Sequence, residues 1–219
     1  MRSMFVVASL LGVLASPAQA ARVLVADFNS GEKPNNIGGN FGTWNYDPKD
    51  STQGCYESFE PDDVKDPQEG YSLRVDYDVL SPKPAFNGVW MKLQGLDASP
   101  YQTLDFWVKG FGEKFTSRFK LELKTHKSER AVYPVEGVTS SWHEVRIPFK
   151  DTKAVSDFSK LDELVLVFDD ITATYKEGIV LIDEISFDSE PAVPQAEGEG
   201  EGQKDAIQGG SPSQDQSKT

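Results

Sequence analysis

The chain has 219 residues, with 22 Lys and Arg against 35 Asp and Glu, a formal net charge of −13, and one cysteine. That acidity disfavours nucleic acid and anionic membrane surfaces as partners, and a lone Cys55 excludes an intramolecular disulfide and suits a small buried hydrophobe. About 200 residues remain behind the N-terminal segment, the size of one ordinary domain plus a tail.

Residues 1–20 read as a secretory signal peptide. Arg2 supplies the positive start, Phe5 to Ala15 the apolar stretch, and Ala18-Gln19-Ala20 the small-residue cleavage site. Ser9, Gly12 and Pro17 interrupt the run, which falls short of the roughly 20 apolar residues that a span requires. The expectation is export to the periplasm or the medium, without membrane insertion.

Residues 21–190 form the expected domain, and their dominant period is two. Val23 and Val25 open a short strand that Phe28 closes. From Asn29 to Glu69 no strand is read: the stretch is rich in glycine, with Trp44, Tyr46, Tyr56 and Phe59 scattered through it. A loop this long is functional or wraps the edge of the core. Ser72 to Val79 alternates cleanly, as do Val89-Met91-Leu93 against Trp90 and Lys92. The same holds for Leu104-Phe106-Val108 against Asp105 and Trp107, and for Phe119-Leu121-Leu123 against Lys120, Glu122 and Lys124. Strands over Trp142–Phe149, Leu164–Phe168 and Ile179–Phe187 follow, with one short helical turn near Phe158 to Leu161. Many short strands with turn residues between them and one apolar face each predict an all-β, two-sheet antiparallel sandwich. Residues 191–219, with Glu197-Gly198-Glu199-Gly200-Glu201-Gly202, hold too little apolar surface to offset their ordering entropy and are expected to be a disordered acidic tail.

Three segments carry a resemblance. Thr103-Leu-Asp-Phe-Trp-Val-Lys-Gly110, Trp142-His-Glu-Val-Arg-Ile-Pro-Phe149 and Ile179-Val-Leu-Ile-Asp-Glu-Ile-Ser-Phe187 resemble, in this order, strand motifs of galactose-binding-like jelly rolls. The start Asp27-Phe28-Asn29 is similar to the Asp-Phe-Glu of many members. Two branches fit: the carbohydrate-binding modules of bacterial glycoside hydrolases, and the domain of complex I intermediate-associated proteins. The first implies non-catalytic binding of an oligo- or polysaccharide. The second implies an assembly module, here acting in the cell envelope on an envelope protein. Glu184 departs from the second Asp of the closing motif.

The resemblance also implies a structural Ca2+ near the chain ends, where Asp27 and Asp183 match the acidic residues and Asn29 is a further candidate. Carboxylate and amide oxygens suit calcium. Equally, Asp27 could cap a turn and Asp183 could accept backbone hydrogen bonds. Zinc is disfavoured, because His126 and His143 lie in different strands and one cysteine cannot complete a site.

In the related modules the ligand lies on one sheet face, which implies Trp90, Lys92, Trp107, Lys120, Glu122 and Lys124 as the carbohydrate-binding residues. Flat apolar rings suit the C–H faces of a pyranose, and charged groups suit its hydroxyls. Any one Trp on a sheet could instead bury under a covering loop, and the segment from Asn29 to Glu69 is the candidate cover. Trp44 and Tyr46 could form a rim platform or pin their loop; Trp142 is expected at the core edge. The acidic pairs Asp62-Asp63, Asp169-Asp170 and Asp183-Glu184 do not suggest a glycosidase, since strand neighbours face opposite ways. No enzyme is expected.

Overall fold

The computed structural model describes residues 21–66 and 70–189, and these described residues form strands and no helix. The expected signal peptide, residues 1–20, and the expected acidic tail, residues 191–219, lie outside the described residues. The strands are β1 (Arg22–Ala26), β2 (Phe41–Asn45), β3 (Gly54–Glu60), β4 (Ser72–Asp78), β5 (Phe86–Leu96) and β6 (Thr103–Phe111). They continue with β7 (Arg118–Thr125), β8 (Arg130–Glu136), β9 (His143–Ile147), β10 (Leu161–Asp169) and β11 (Glu177–Asp188). One sheet has the order β3-β4-β11-β6-β9, with β1 also on β11; the other has the order β2-β5-β10-β7-β8. All pairings are antiparallel. This is the expected jelly-roll sandwich.

The alternation written in the sequence builds the core. Val89, Met91 and Leu93 of β5, Leu121 and Leu123 of β7, and Leu73 and Val75 of β4 are essentially inaccessible. Tyr77 of β4 stacks on Phe168 of β10, with centroids 4.4 Å apart, and so ties the sheets together. Burying a side chain of this size stabilises the fold by about 1.5–3 kcal/mol. Cys55 is buried at 1% exposure, and burial, helped by the charges of Glu57 and Asp76, pushes its thiol pKa up. It serves as a small core residue.

β11 takes two partners in succession along one edge, β4 over Glu177–Ile182 and β1 over Ile185–Asp188. The change falls at a bulge between Asp183 and Ser186, where Glu184 adopts φ 47°. Such a bulge re-aims the strand.

Three expectations are corrected. The stretch from Asn29 to Glu69 contains β2 and β3, because their glycine and mixed polar content hides the period of two. Phe158–Leu161 forms no helical turn, and Leu161 opens β10. β8 had no counterpart in the sequence reading; its Pro134 is tolerated because β8 is an edge strand. Trp142 precedes β9 and is half-buried, its indole N–H donating to Asp63 Oδ1 at 3.0 Å.

Candidate functional site

Strand neighbours point to opposite faces, so the residues of the second sheet that do not enter the core line its outer surface in cross-strand rows. One row runs Gly42 (β2), Trp90 (β5), Val165 (β10), Glu122 (β7) and Val132 (β8). A second runs Lys92, Glu163, Lys124 and Arg130 over the last four of these strands. A third runs Trp44, Gly88, Val167, Lys120 and Pro134. Apart from Gly42, Gly88 and Pro134, these residues line a groove of about 920 Å3 together with Phe86, Asp169, Asp170 and Ile171. From β2 to β8 there are four strand steps, roughly 19 Å at 4.7–4.9 Å each.

The two tryptophans are laid crosswise over glycines. Three indole atoms of Trp90 lie 3.1–3.5 Å from the point a Cβ on Gly42 would occupy, and Trp90 Nε1 donates to the Thr43 carbonyl at 3.3 Å. Trp44 Nε1 stands 3.3 Å from the corresponding point on Gly88. Trp44 also meets Phe86 edge-on at 5.8 Å, and Tyr46 stacks on the same Phe86 ring at 4.0 Å. Each glycine thus leaves room for the indole from the neighbouring strand. Both indoles are half-buried and line the groove.

The charges of the groove are matched. Glu163 accepts from Lys92 at 2.5 Å with one oxygen and from Lys124 at 2.8 Å with the other. Lys120 pairs with Asp169 at 2.9 Å and Arg130 with Glu122 at 3.2 Å. Burial alone would raise the pKa of Glu163, but the hydrogen bonds and charges of Lys124 and Lys92 outweigh it and hold the carboxyl below its ordinary value. Asp169 behaves likewise: burial is overcome by Lys120 and by the Thr172 and Ile171 amides.

A carboxylate whose folded pKa is depressed contributes stability above its unfolded pKa, near 4, and that stability is lost as pH falls through the folded value. Thermal unfolding followed from pH 7 to pH 2.5 is therefore expected to show Tm falling below about pH 4.5. Glu163→Gln should lower Tm at pH 7 by about 3 °C, on the order of 1 kcal/mol, and flatten the acid decline. A variant curve parallel to the wild type would contradict this assignment.

The structure brings together Trp90, Lys92, Lys120, Glu122 and Lys124, five of the six residues expected to touch carbohydrate. Trp107 is elsewhere. It lies on β6 in the first sheet, opposite Asp183 and Glu144 in register, with Lys65 Nζ 5.3 Å from its ring centroid. Alternation tells which side of its own strand a residue faces, not which sheet the strand joins. The segment over residues 61–66 lies against this face, with Lys65 bonded to Glu184 at 3.1 Å and Asp63 bridging Lys109 and Trp142. The covering role foreseen for the long segment is thus met at Trp107.

Sequence reasoning missed Glu163, Asp169, Val165 and Val167, which reach the site because β10 inserts between β5 and β7. It missed Arg130 and Val132 with β8. Trp44, seen as a rim or a pin, stands on β2 inside the groove.

The residues expected at calcium do not offer a free oxygen cage. Asp27 accepts from the Asn29 amide at 3.1 Å and from Asn36 Nδ2 at 2.9 Å. Asn29 Oδ1 accepts from the Gly70 amide, and Asp183 accepts from the Glu184 and Lys65 amides at 2.8 and 3.4 Å. Among the described residues no three His, Cys, Asp or Glu side chains gather so as to hold a metal ion. The residues fit the ion poorly.

A family model described as Carbohydrate binding domain 30 matches residues 35–189. No curated relative matches the sequence. Among solved structures, the family 11 carbohydrate-binding module of the cellulosomal cellulase Lic26A-Cel5E of Clostridium thermocellum is similar with a TM-score of 0.57 and 17% identity, covering 78% of this chain and 95% of that one. A structure of the family 11 module from Clostridium thermocellum in complex with a β-1,3-1,4-mixed-linked tetrasaccharide gives 0.55 and 18%, covering 76% and 94%. A family 30 carbohydrate-binding module gives 0.51 and 15%, covering 82% and 92%. At these identities the likeness is one of fold.

Proposed function

Because the chain belongs to the carbohydrate binding domain 30 family and so binds carbohydrate, we propose that it does so in the groove on the outer face of the second sheet, without catalysing any reaction. The observation that carries this is the pair of indoles, Trp44 and Trp90, laid over Gly88 and Gly42 beside a row of hydrogen-bonding charges. Apolar rings accept pyranose faces, and the Lys and Glu head groups meet hydroxyls at the rim. The assembly role of the complex I intermediate-associated branch finds no support in the comparisons.

The absence of catalysis is supported by the charge pairing. Glycoside hydrolysis needs one carboxyl kept protonated by a raised pKa, whereas Glu163 and Asp169 are held low. The ligand class proposed is a neutral oligo- or polysaccharide, because the cations and carboxylates of the groove balance. The tetrasaccharide held by the family 11 module makes β-1,3-1,4-linked glucan the first candidate. Calorimetry against this glucan, mannan and xyloglucan tests the reading, and absence of binding to all neutral polysaccharides would overturn it.

We place the protein outside the cytoplasm, on the strength of residues 1–20, with a cell-envelope protein as an additional partner of the acidic tail. The calcium implied by the jelly-roll resemblance is tested by melting with EDTA. On the donor set described, Tm is expected to stay unchanged; a fall reversed by added calcium would establish a calcium site at Asp27, Asn29 and Asp183.

A further inference from the structure

The opposite face of the sandwich repeats the logic of the groove. On the first sheet, Tyr56 (β3), Asp76 (β4), Ile179 (β11) and Phe111 (β6) stand in one cross-strand row. Three strand steps separate the two rings, roughly 14 Å. Tyr56 is 72% exposed, one of the most accessible aromatic side chains among the described residues. Beside this row, Asp78 and Glu177 are register partners and form a carboxylate wall. The whole surrounds a cavity of about 440 Å3, close to half the volume of the groove on the other sheet.

The partners of these groups show how the cavity is held. Arg74 grips Asp76 at 2.8 and 2.9 Å and lies 5.3 Å from the Phe111 ring centroid. It therefore fixes the carboxylate and backs the ring. Lys114 is bonded to Glu177. An exposed ring has no stabilising role in the fold comparable with a buried one, since its apolar face stays in water. Two rings at the ends of a short row, with aliphatic floor and fixed acceptors between them, match a hydroxyl-rich chain with apolar ring faces.

We propose a second carbohydrate site on the first sheet, built on Tyr56, Asp76, Ile179 and Phe111, which takes a neutral hexopyranose oligosaccharide shorter than the one in the main groove. It rests on the reading of the main groove as a glycan site. Carboxylates accept hydrogen bonds from paired sugar hydroxyls, and the rings supply the stacking surface. The two sites face away from each other across the sandwich, so one molecule would hold two chains, or two segments of one chain, at once. Such bivalency raises apparent affinity for a polymer without any new contact.

The test is a titration of the isotope-labelled full chain with the β-1,3-1,4-linked tetrasaccharide, read as amide shifts. Two groups of amides are expected to respond with separate midpoints, one around Trp90 and one around Tyr56, Asp76 and Phe111. Tyr56→Ala, an exposed substitution, should silence only the second group. Trp90→Ala should silence only the first. Shifts confined to the Trp90 face, or a second group unchanged in Tyr56→Ala, overturn the second site while leaving the main groove intact. No shifts on either face, with no response to the mannan and xyloglucan oligosaccharides either, overturn both.

Discussion

Replacing Trp90 with alanine is expected to weaken binding of soluble β-glucan about 30-fold, a loss of roughly 2 kcal/mol, as for an aromatic anchor in an interface centre. The indole borders Val165 of the next strand and lies beside the row that holds Lys92, Glu163 and Lys124. Removing it deletes the ring face and leaves Gly42 bare on β2. Because the side chain faces the groove rather than the core, the loss should appear in affinity far more than in stability. Trp44→Ala should cost less, about tenfold, since Tyr46 and Phe86 remain as a stacked pair beside the gap. Trp107→Ala, on the other sheet, should leave affinity within twofold of the wild type. Affinity electrophoresis of the three variants in one gel settles the order. Equal losses for Trp90 and Trp107 would sink the placement of the site.

Gly88→Ala is expected to produce the largest loss of stability of any single methyl addition on this face, about 3 kcal/mol or some 9 °C in Tm. A Cβ there would come within 1.8 Å of the Leu166 carbonyl oxygen. That oxygen belongs to β10, so the central pair of the sheet must part or the bond geometry must distort. The same methyl would crowd Trp44 Nε1 at 3.3 Å. Gly42→Ala provides the contrast. The three atoms nearest its Cβ would all belong to the Trp90 side chain, none nearer than 3.1 Å, so the indole can tilt. The expected result is nearly unchanged melting with affinity reduced several-fold. If Gly88→Ala melts within 2 °C of the wild type, the packing of β5 against β10 is looser than described.

What the sequence disclosed, and what it withheld, follows from the kind of information each feature carries. Period-two alternation is local, so the inward sets of β4, β5, β6 and β7 were legible from a few residues each. The order of strands is not local. Nothing in Trp90 or Trp107 says that β5 joins one sheet and β6 the other, and so the two outward tryptophans were joined in one surface that the fold divides. Lys120, Glu122 and Lys124 share the face of Trp90, yet nothing in the expected strand over Leu164–Phe168 says that it lies between their strands. Leu164-Val-Leu-Val-Phe168 reads as an unbroken apolar run, in which the outward Val165 and Val167 cannot be told from the inward leucines. Glu163, just before that run, and Asp169, just after it, are the polar signals that mark the outer face. Trp44 was hidden for a different reason: the glycine that precedes it by two residues serves the neighbouring indole, and glycine reads as loop.

The Glu163 bridge between Lys92 and Lys124 has a bearing on how tightly a flexible sugar chain can be held. A free lysine side chain gives up about 2 kcal/mol of rotamer freedom when it is immobilised. Here both ammonium groups are anchored before a ligand arrives, each with protons left to donate. The freedom has been surrendered during folding, within a network that folding itself stabilises. A glycan entering the groove meets donors already aimed, so the entropy of ordering falls mainly on the sugar.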